Sequence, residues 1–268
     1  FVALADEPNL NYSSYEHFET YFSSVASFIK NHPDPMVANT KLAIPQSSRF
    51  LNGPTRKGAN ERVGIHWAEK LIDNYGQWVD AISWHEWLVR DLIDTTRYTD
   101  AVTQASDLLE KYSEKLDDST ALIIGQTNIS SGLSLSPYEQ ETFFAALWWA
   151  SVVIQSSLPG KLDQIMWFKA ADDPVYKKGL IQISENGYVH KPVSQSMSFI
   201  NNHLYPFVMN ISNEHPDIDV LVTLSEDKTM ASILGVNKSK RDIRVDISLP
   251  VTGGIMKSSA FNKYGVVE

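Results

Sequence analysis

Along the first two hundred residues, short apolar runs alternate with longer stretches in which apolar positions recur every three or four residues. The runs are "FVALA" (1–5), "KLAIP" (41–45), "WVDAISW" (78–84), "ALIIG" (121–125) and "LDQIMWF" (162–168). Each is short and partly β-branched, as strands buried on both faces are. The segments 15–30, 60–75, 98–116, 137–155 and 191–204 carry the helical period. The fourth opens with Pro137, suited to a first helical position, and has Glu139 in its first turn. Strand–helix repeats predict an α/β fold with a parallel sheet and right-handed crossovers. Five units of about 40 residues match strands four to eight of a (β/α)8 TIM barrel, whose usual size is about 250 residues. An open doubly wound sheet is the alternative, but no Gly-rich phosphate loop follows any run.

Beyond Pro206 the period changes. "DVLVTLSED", "TMASILGVN", "RDIRVDISLP" and "SSAFNKYGV" alternate apolar and polar residues between turn-forming Asn, Asp and Lys, which predicts antiparallel strands. The expected organisation is a barrel portion over 1–205 and a small, incomplete β domain of sandwich type over 206–268. Trp148 and Trp149 lie inside an apolar helical stretch and read as packing residues.

Composition narrows the chemistry. The chain is 43% hydrophobic and 11% aromatic, enough for a packed core. Its formal charge of −9 is spread without long runs and offers no nucleic-acid footprint. With no cysteine, disulfides, thiolate nucleophiles and thiolate metal sites are excluded. The seven histidines are scattered without metal-binding spacing, so neither metal nor cofactor is expected. No apolar run approaches the ~20 residues of a membrane helix. Phe1 has no preceding Met; the chain is expected to be a segment of a longer polypeptide whose N-terminal part completes the barrel.

In such barrels the chemistry collects at the C-terminal strand ends. Here these carry Asp6-Glu7-Pro8-Asn9, Gln46 to Arg49, Trp84-His85-Glu86-Trp87, Gln126-Thr127-Asn128 and Trp167-Phe168-Lys169. Carboxylates, amides, aromatics and basic residues all gather at one end of the sheet.

Glu-Pro-Asn closing the first run, position 126 closing the run three units later, His85 among aromatics between them and Trp167 on the last run resemble clan A retaining glycoside hydrolases. The closest are family 86, the agarases and porphyranases, and family 39, the xylosidases and iduronidases. The resemblance implies Glu7 as acid/base and position 126 as the nucleophile, two carboxyl groups that a retaining site holds about 5 to 5.5 Å apart. An amide cannot form the glycosyl-enzyme, so Gln126 is expected to stand in for a Glu and to inactivate the chain. Asp6 occupies a position that is usually Asn in these families; its charge is expected to raise the pKa of Glu7. The resemblance further implies substrate contacts from Asp6, Asn9, Arg49, Trp84, His85, Glu86, Trp87, Asn128, Trp167 and Lys169. Trp167, Trp84 and Trp87 would be sugar platforms, and Arg49 and Lys169 would meet acidic groups of a glycan. Each has a plainer alternative: a core Trp, a buried His fixed by a carbonyl, a solvated rim charge, or Glu86 turned towards a loop or itself the catalytic carboxylate. The expected function is endo-acting cleavage of β-linked red-algal galactan. An exo-acting family 39 type xylosidase and a non-hydrolytic carbohydrate-binding protein with a native Gln126 are the alternatives. The partner is an oligo- or polysaccharide, with no nucleic acid or membrane, and the location is secreted, periplasmic or on the outer surface of a bacterium.

Overall fold

The computed structural model describes residues 1–48, 50–51, 62–87, 89–130, 137–213, 215–248, 255–263 and 265–267. They form two compact units: Phe1–Arg90 with Thr96–Ser131 and Lys161–Phe168, and Asp91–Thr95 with Gly132–Gly160 and Lys169–Glu268.

The first unit contains β1 (Val2–Ala3), α1 (Pro8–Asn11), α2 (Tyr15–Lys30), α3 (Pro35–Ala38), β2 (Leu42–Ser47), α4 (Gly64–Tyr75), β3 (Ala81–Glu86), α5 (Thr96–Lys111), β4 (Ala121–Thr127) and, after an excursion into the second unit, β5 (Gln164–Trp167). All five strands pair in parallel in the order β1-β2-β3-β4-β5. This is the curled half-barrel that the alternating runs predict. Register sets Ala43, Ala81 and Ala121 side by side, a layer of small residues packed with Ile123. The neighbouring positions Ile44, Ile82 and Leu122 are buried as well, so the central strands are apolar on both faces. The outer strands are more open, with Val2 and Met166 nearly half exposed.

A repeated device fixes the N-terminal strand ends. Asp80, just before β3, accepts from the Leu42 amide of β2 through its carboxylate and donates its own N–H to the Leu42 carbonyl. Asp163, just before β5, does the same to Leu122 of β4. Each carboxylate thereby satisfies a backbone amide at the start of a strand, the first of β2 and the second of β4. Asp80 also pairs with Lys30 at the end of α2, at 2.9 Å.

The helices bury one stripe each. Phe18, Phe22 and Ala26 of α2 follow the i, i+4 rule, and Trp67, Ala68, Leu71 and Ile72 do so on α4. Trp67 stacks on Phe18 at 5.7 Å. Gly64 opens α4 where a β-carbon would stand 2.0 Å from Ser47 Oγ, so the close approach of α4 to β2 requires glycine.

The second unit contains α6 (Pro137–Glu141), α7 (Phe143–Ser157), β6 (Ile181–Ser184), β7 (Gly187–His190), α8 (Pro192–Asn201), β8 (Phe207–Val208), β9 (Ile218–Leu224), β10 (Ala231–Asn237), β11 (Ala260–Asn262) and β12 (Gly265–Val267). The single helix expected over 137–155 is two, because Thr142 turns extended and caps α7 by accepting from the Phe144 amide. Trp148 and Trp149 are buried, and α7 is buried around most of its circumference. Strands β8, β9 and β10 form an antiparallel sheet. The strand expected at 241–250 is not one over 241–248, where Val245 and Ile247 are half exposed; alternation supplied a face but no partner ladder. Residues 249–250 lie outside the described residues. Within 258–266 the chain makes the β11–β12 ribbon instead of one strand, and β6–β7 is a hairpin that the pattern does not predict. Among the described residues the antiparallel strands make one three-stranded sheet and two two-stranded ribbons. No described helix is long and apolar enough to cross a membrane.

Candidate functional site

Three neighbouring strands shift register in their C-terminal halves: β2 between Pro45 and Ser47, β3 between Trp84 and His85, and β4 between Ile124 and Thr127. Bulges of this kind re-aim side chains beside functional sites. Here they bring His85 opposite Gln126 and Glu86 opposite Thr127. Two of the three non-Gly residues at positive φ among the described residues meet at the same place: Glu7 at φ 45° and Gln46 at φ 59°. The Glu7 amide donates to the Gln46 carbonyl at 3.1 Å. Left-handed backbone at a non-Gly residue is costly and collects at functional sites. At Glu7 it turns the chain from β1 into α1, which Pro8 opens. The Gln46 amide accepts from Ser83 Oγ and lies against Gly125, where a β-carbon would come within 2.5 Å of it. Gly125 therefore leaves the space beside Gln126 for the Gln46 side chain.

The Glu7 carboxylate is hydrogen-bonded through Oε1 to His85 Nδ1 at 2.9 Å, with the side chains of Ser48 and Trp87 also bonding it. Burial pushes this carboxyl up, but His85, Ser48 and Trp87 together hold it below its ordinary value. The expectation that Asp6 raises Glu7 is thus corrected: the dominant neighbour is the imidazole, and Asp6 sits across the ring, its Oδ1 3.6 Å from His85 Nε2. His85 itself is fully buried, with the Trp87 ring edge-on at 6.5 Å. Asp6, Glu7, His85, Trp87 and Gln126 are therefore brought to one locus. Ser48 belongs there too; its only signal in the sequence is its position after a strand.

Other expected contacts are turned to structure. Trp84 is fully buried and stacked on Phe50 at 4.6 Å, leaving no face for a sugar. Glu86 points to α5: its Oε1 accepts from Arg97 Nε at 2.6 Å, while its backbone carbonyl accepts from Thr127 Oγ1. Burial outweighs Arg97 and lifts the Glu86 carboxyl to about 7. Asn9 is buried and spends its amide on the loop after β2, donating to the carbonyls of Ser48 and Arg62 and accepting from the Ser48 amide. Asn128 is buried too, donating to the Phe168 carbonyl and accepting from the Ile129 amide. Trp167 is half-buried at the end of β5. Lys169, in the second unit, pairs with Asp173 and lies 5.7 Å over the Tyr176 ring. Arg49 lies outside the described residues. Among the described residues no group of three His, Cys, Asp or Glu is arranged to hold a metal.

No protein-family model and no curated protein matches the sequence. Solved structures do match in fold. A family 51 α-L-arabinofuranosidase from Bifidobacterium longum aligns over 84% of this chain and 49% of its own, at 16% identity and a TM-score of 0.59. A family 39 β-xylosidase from Caulobacter crescentus aligns over 83% and 45%, at 14% identity and 0.55. A family 44 endoglucanase from Clostridium acetobutylium aligns over 90% and 54%, at 11% identity and 0.59. The neighbours are clan A glycoside hydrolases. The chain spans about half the length of each, and at these identities the likeness is one of fold.

Proposed function

We propose that this chain carries the acid/base and nucleophile positions of a retaining glycoside hydrolase acting on a β-linked polysaccharide. One observation carries the reading: His85 is hydrogen-bonded to Glu7 through Nδ1 and faces Gln126 in register, so both positions flank a single buried imidazole. The glycosidase fold of the structural neighbours supports it.

In the reaction a carboxylate at 126 attacks the anomeric carbon while Glu7 protonates the departing glycosidic oxygen. Glu7 then takes a proton from water, which displaces the enzyme carboxylate. An amide at 126 can do neither the attack nor the departure. The chain as it stands binds sugar without turnover, and a carboxylate at 126 restores the reaction. The half-buried Trp87 and Trp167 offer apolar faces to pyranose rings. The substrate we favour is a red-algal galactan cleaved internally, as in family 86. A polymer of that size is met outside the cytoplasm, which makes the protein secreted, periplasmic or outer-surface. Gln126 itself favours the second reading, a carbohydrate-binding protein that never hydrolyses.

The test is reducing-sugar release by the full-length protein, with and without Gln126→Glu, on agarose, porphyran, carrageenans and xylan. Turnover only after the substitution supports the nucleophile assignment and names the glycan. Binding by both forms with turnover by neither returns the weight to the second reading.

A further inference from the structure

Two consecutive residues meet the two nitrogens of one ring. Glu7 Oε1 is 2.9 Å from His85 Nδ1, and Asp6 Oδ1 is 3.6 Å from Nε2. The ring is fully buried, and Nε2 has no hydrogen-bond partner, while the Asp6 side chain is 70% exposed. A neutral imidazole has one N–H and one lone pair. With its proton on Nδ1, facing Glu7, the lone pair of Nε2 would point at the Asp6 carboxylate with nothing between them. Only the charged ring presents an N–H to both. Of the other neighbours, Trp87 and Gln126 are neutral, and Glu86, on the same strand, is turned to Arg97 on α5.

We propose that Asp6, His85 and Glu7 work as a relay, in which Asp6 keeps the buried ring charged and the ring keeps Glu7 as the carboxylate in the empty site. His85 is then a positioning residue that acts on Glu7, and Asp6 acts on Glu7 through it. The proposal rests on the reading of Glu7 as acid/base.

The relay inverts a sign. Direct repulsion between adjacent carboxylates means that Asp6→Asn lowers the pKa of Glu7. Through the relay, the same change weakens the charged ring and raises it, by about one pH unit for the partial loss of one charged partner. The experiment is side-chain carboxyl 13C NMR of the full-length protein across pH 3–8, with Glu7 identified by the signal absent in Glu7→Gln. Ring 15N shifts of His85 are followed in parallel. A higher Glu7 midpoint in Asp6→Asn, with the His85 ring losing its charge at lower pH than in the parent, is the expected result. An unchanged or lower midpoint overturns the relay, as does a parent ring that is neutral while Glu7 is ionised. His85→Asn should raise the midpoint at least as far; if it fails to fold, the exposed Asp6→Asn decides alone. Because the titration needs no turnover, the relay stands if Gln126→Glu hydrolyses nothing, and the hydrolase reading stands if Asp6→Asn moves Glu7 the other way.

Discussion

Glu86→Gln tests how far burial governs the charge of this strand end. In the fold the Glu86 carboxyl is 1% exposed, Oε1 is bonded to Arg97 and Oε2 has no partner. Loss of hydration outweighs the guanidinium, and the pKa rises from an ordinary 4.5 to about 7. The unfolded chain releases this proton near 4.5, the folded chain near 7. Between those values the folded state binds the extra proton, so its stability falls as pH rises. At ~1.4 kcal/mol per pH unit, the loss accumulated from pH 4.5 to above 7 is about 3 kcal/mol. Glutamine does not titrate, and Arg97 stays charged throughout, so any penalty for unpairing it is a constant offset. The assay is urea denaturation followed by tryptophan fluorescence at a series of pH values from 4.5 to 8. The expected outcome is that the stability of Glu86→Gln relative to the parent improves by about 3 kcal/mol across the series. Parallel curves would refute the reasoning, since they would mean that Arg97 compensates the buried charge in full.

Two further substitutions test the scaffold under the site. Gly64→Ala should cost about 1–3 kcal/mol, because its β-carbon would collide with Ser47 Oγ; thermal denaturation reads the loss, and an unchanged midpoint would mean that β2 yields freely. Asn9→Ala removes three hydrogen bonds to the loop after β2 and should destabilise by about 2–4 kcal/mol through the buried groups left unpaired. Its urea midpoint checks this, and a loss under ~1 kcal/mol would mean that water replaces the amide.

Much of the framework was legible because burial on both faces leaves a strong trace. The five apolar runs became the five parallel strands, and the stripe of α2 lies where the period put it. Strand ends were harder: β3 and β4 run on to Glu86 and Thr127, since polar residues continue a ladder as readily as apolar ones when neighbouring strands supply the bonds. Position 142 broke an apparently continuous helix because a Thr can cap as well as continue one. In 241–248 the alternation was genuine, but a strand also needs a partner.

The site divides in the same way. Sequence order alone put Asp6, Glu7, His85, Trp87 and Gln126 at strand ends, because a parallel sheet sends every C-terminal end to one side. It could not separate Trp84 from Trp87, or His85 from Glu86, since adjacent residues in a strand point to opposite faces and a bulge changes which is which. The register shifts decided that His85 faces Gln126 while Glu86 is committed to Arg97. Loop packing decided that Asn9 and Asn128 serve the backbone, a matter of which carbonyls and amides lie within hydrogen-bonding reach. The sequence determined which chemical groups arrive at this end of the sheet, through a periodicity that reports burial. Tertiary structure alone decided which of them touch, because contacts across strands depend on register and bulges that no local pattern encodes.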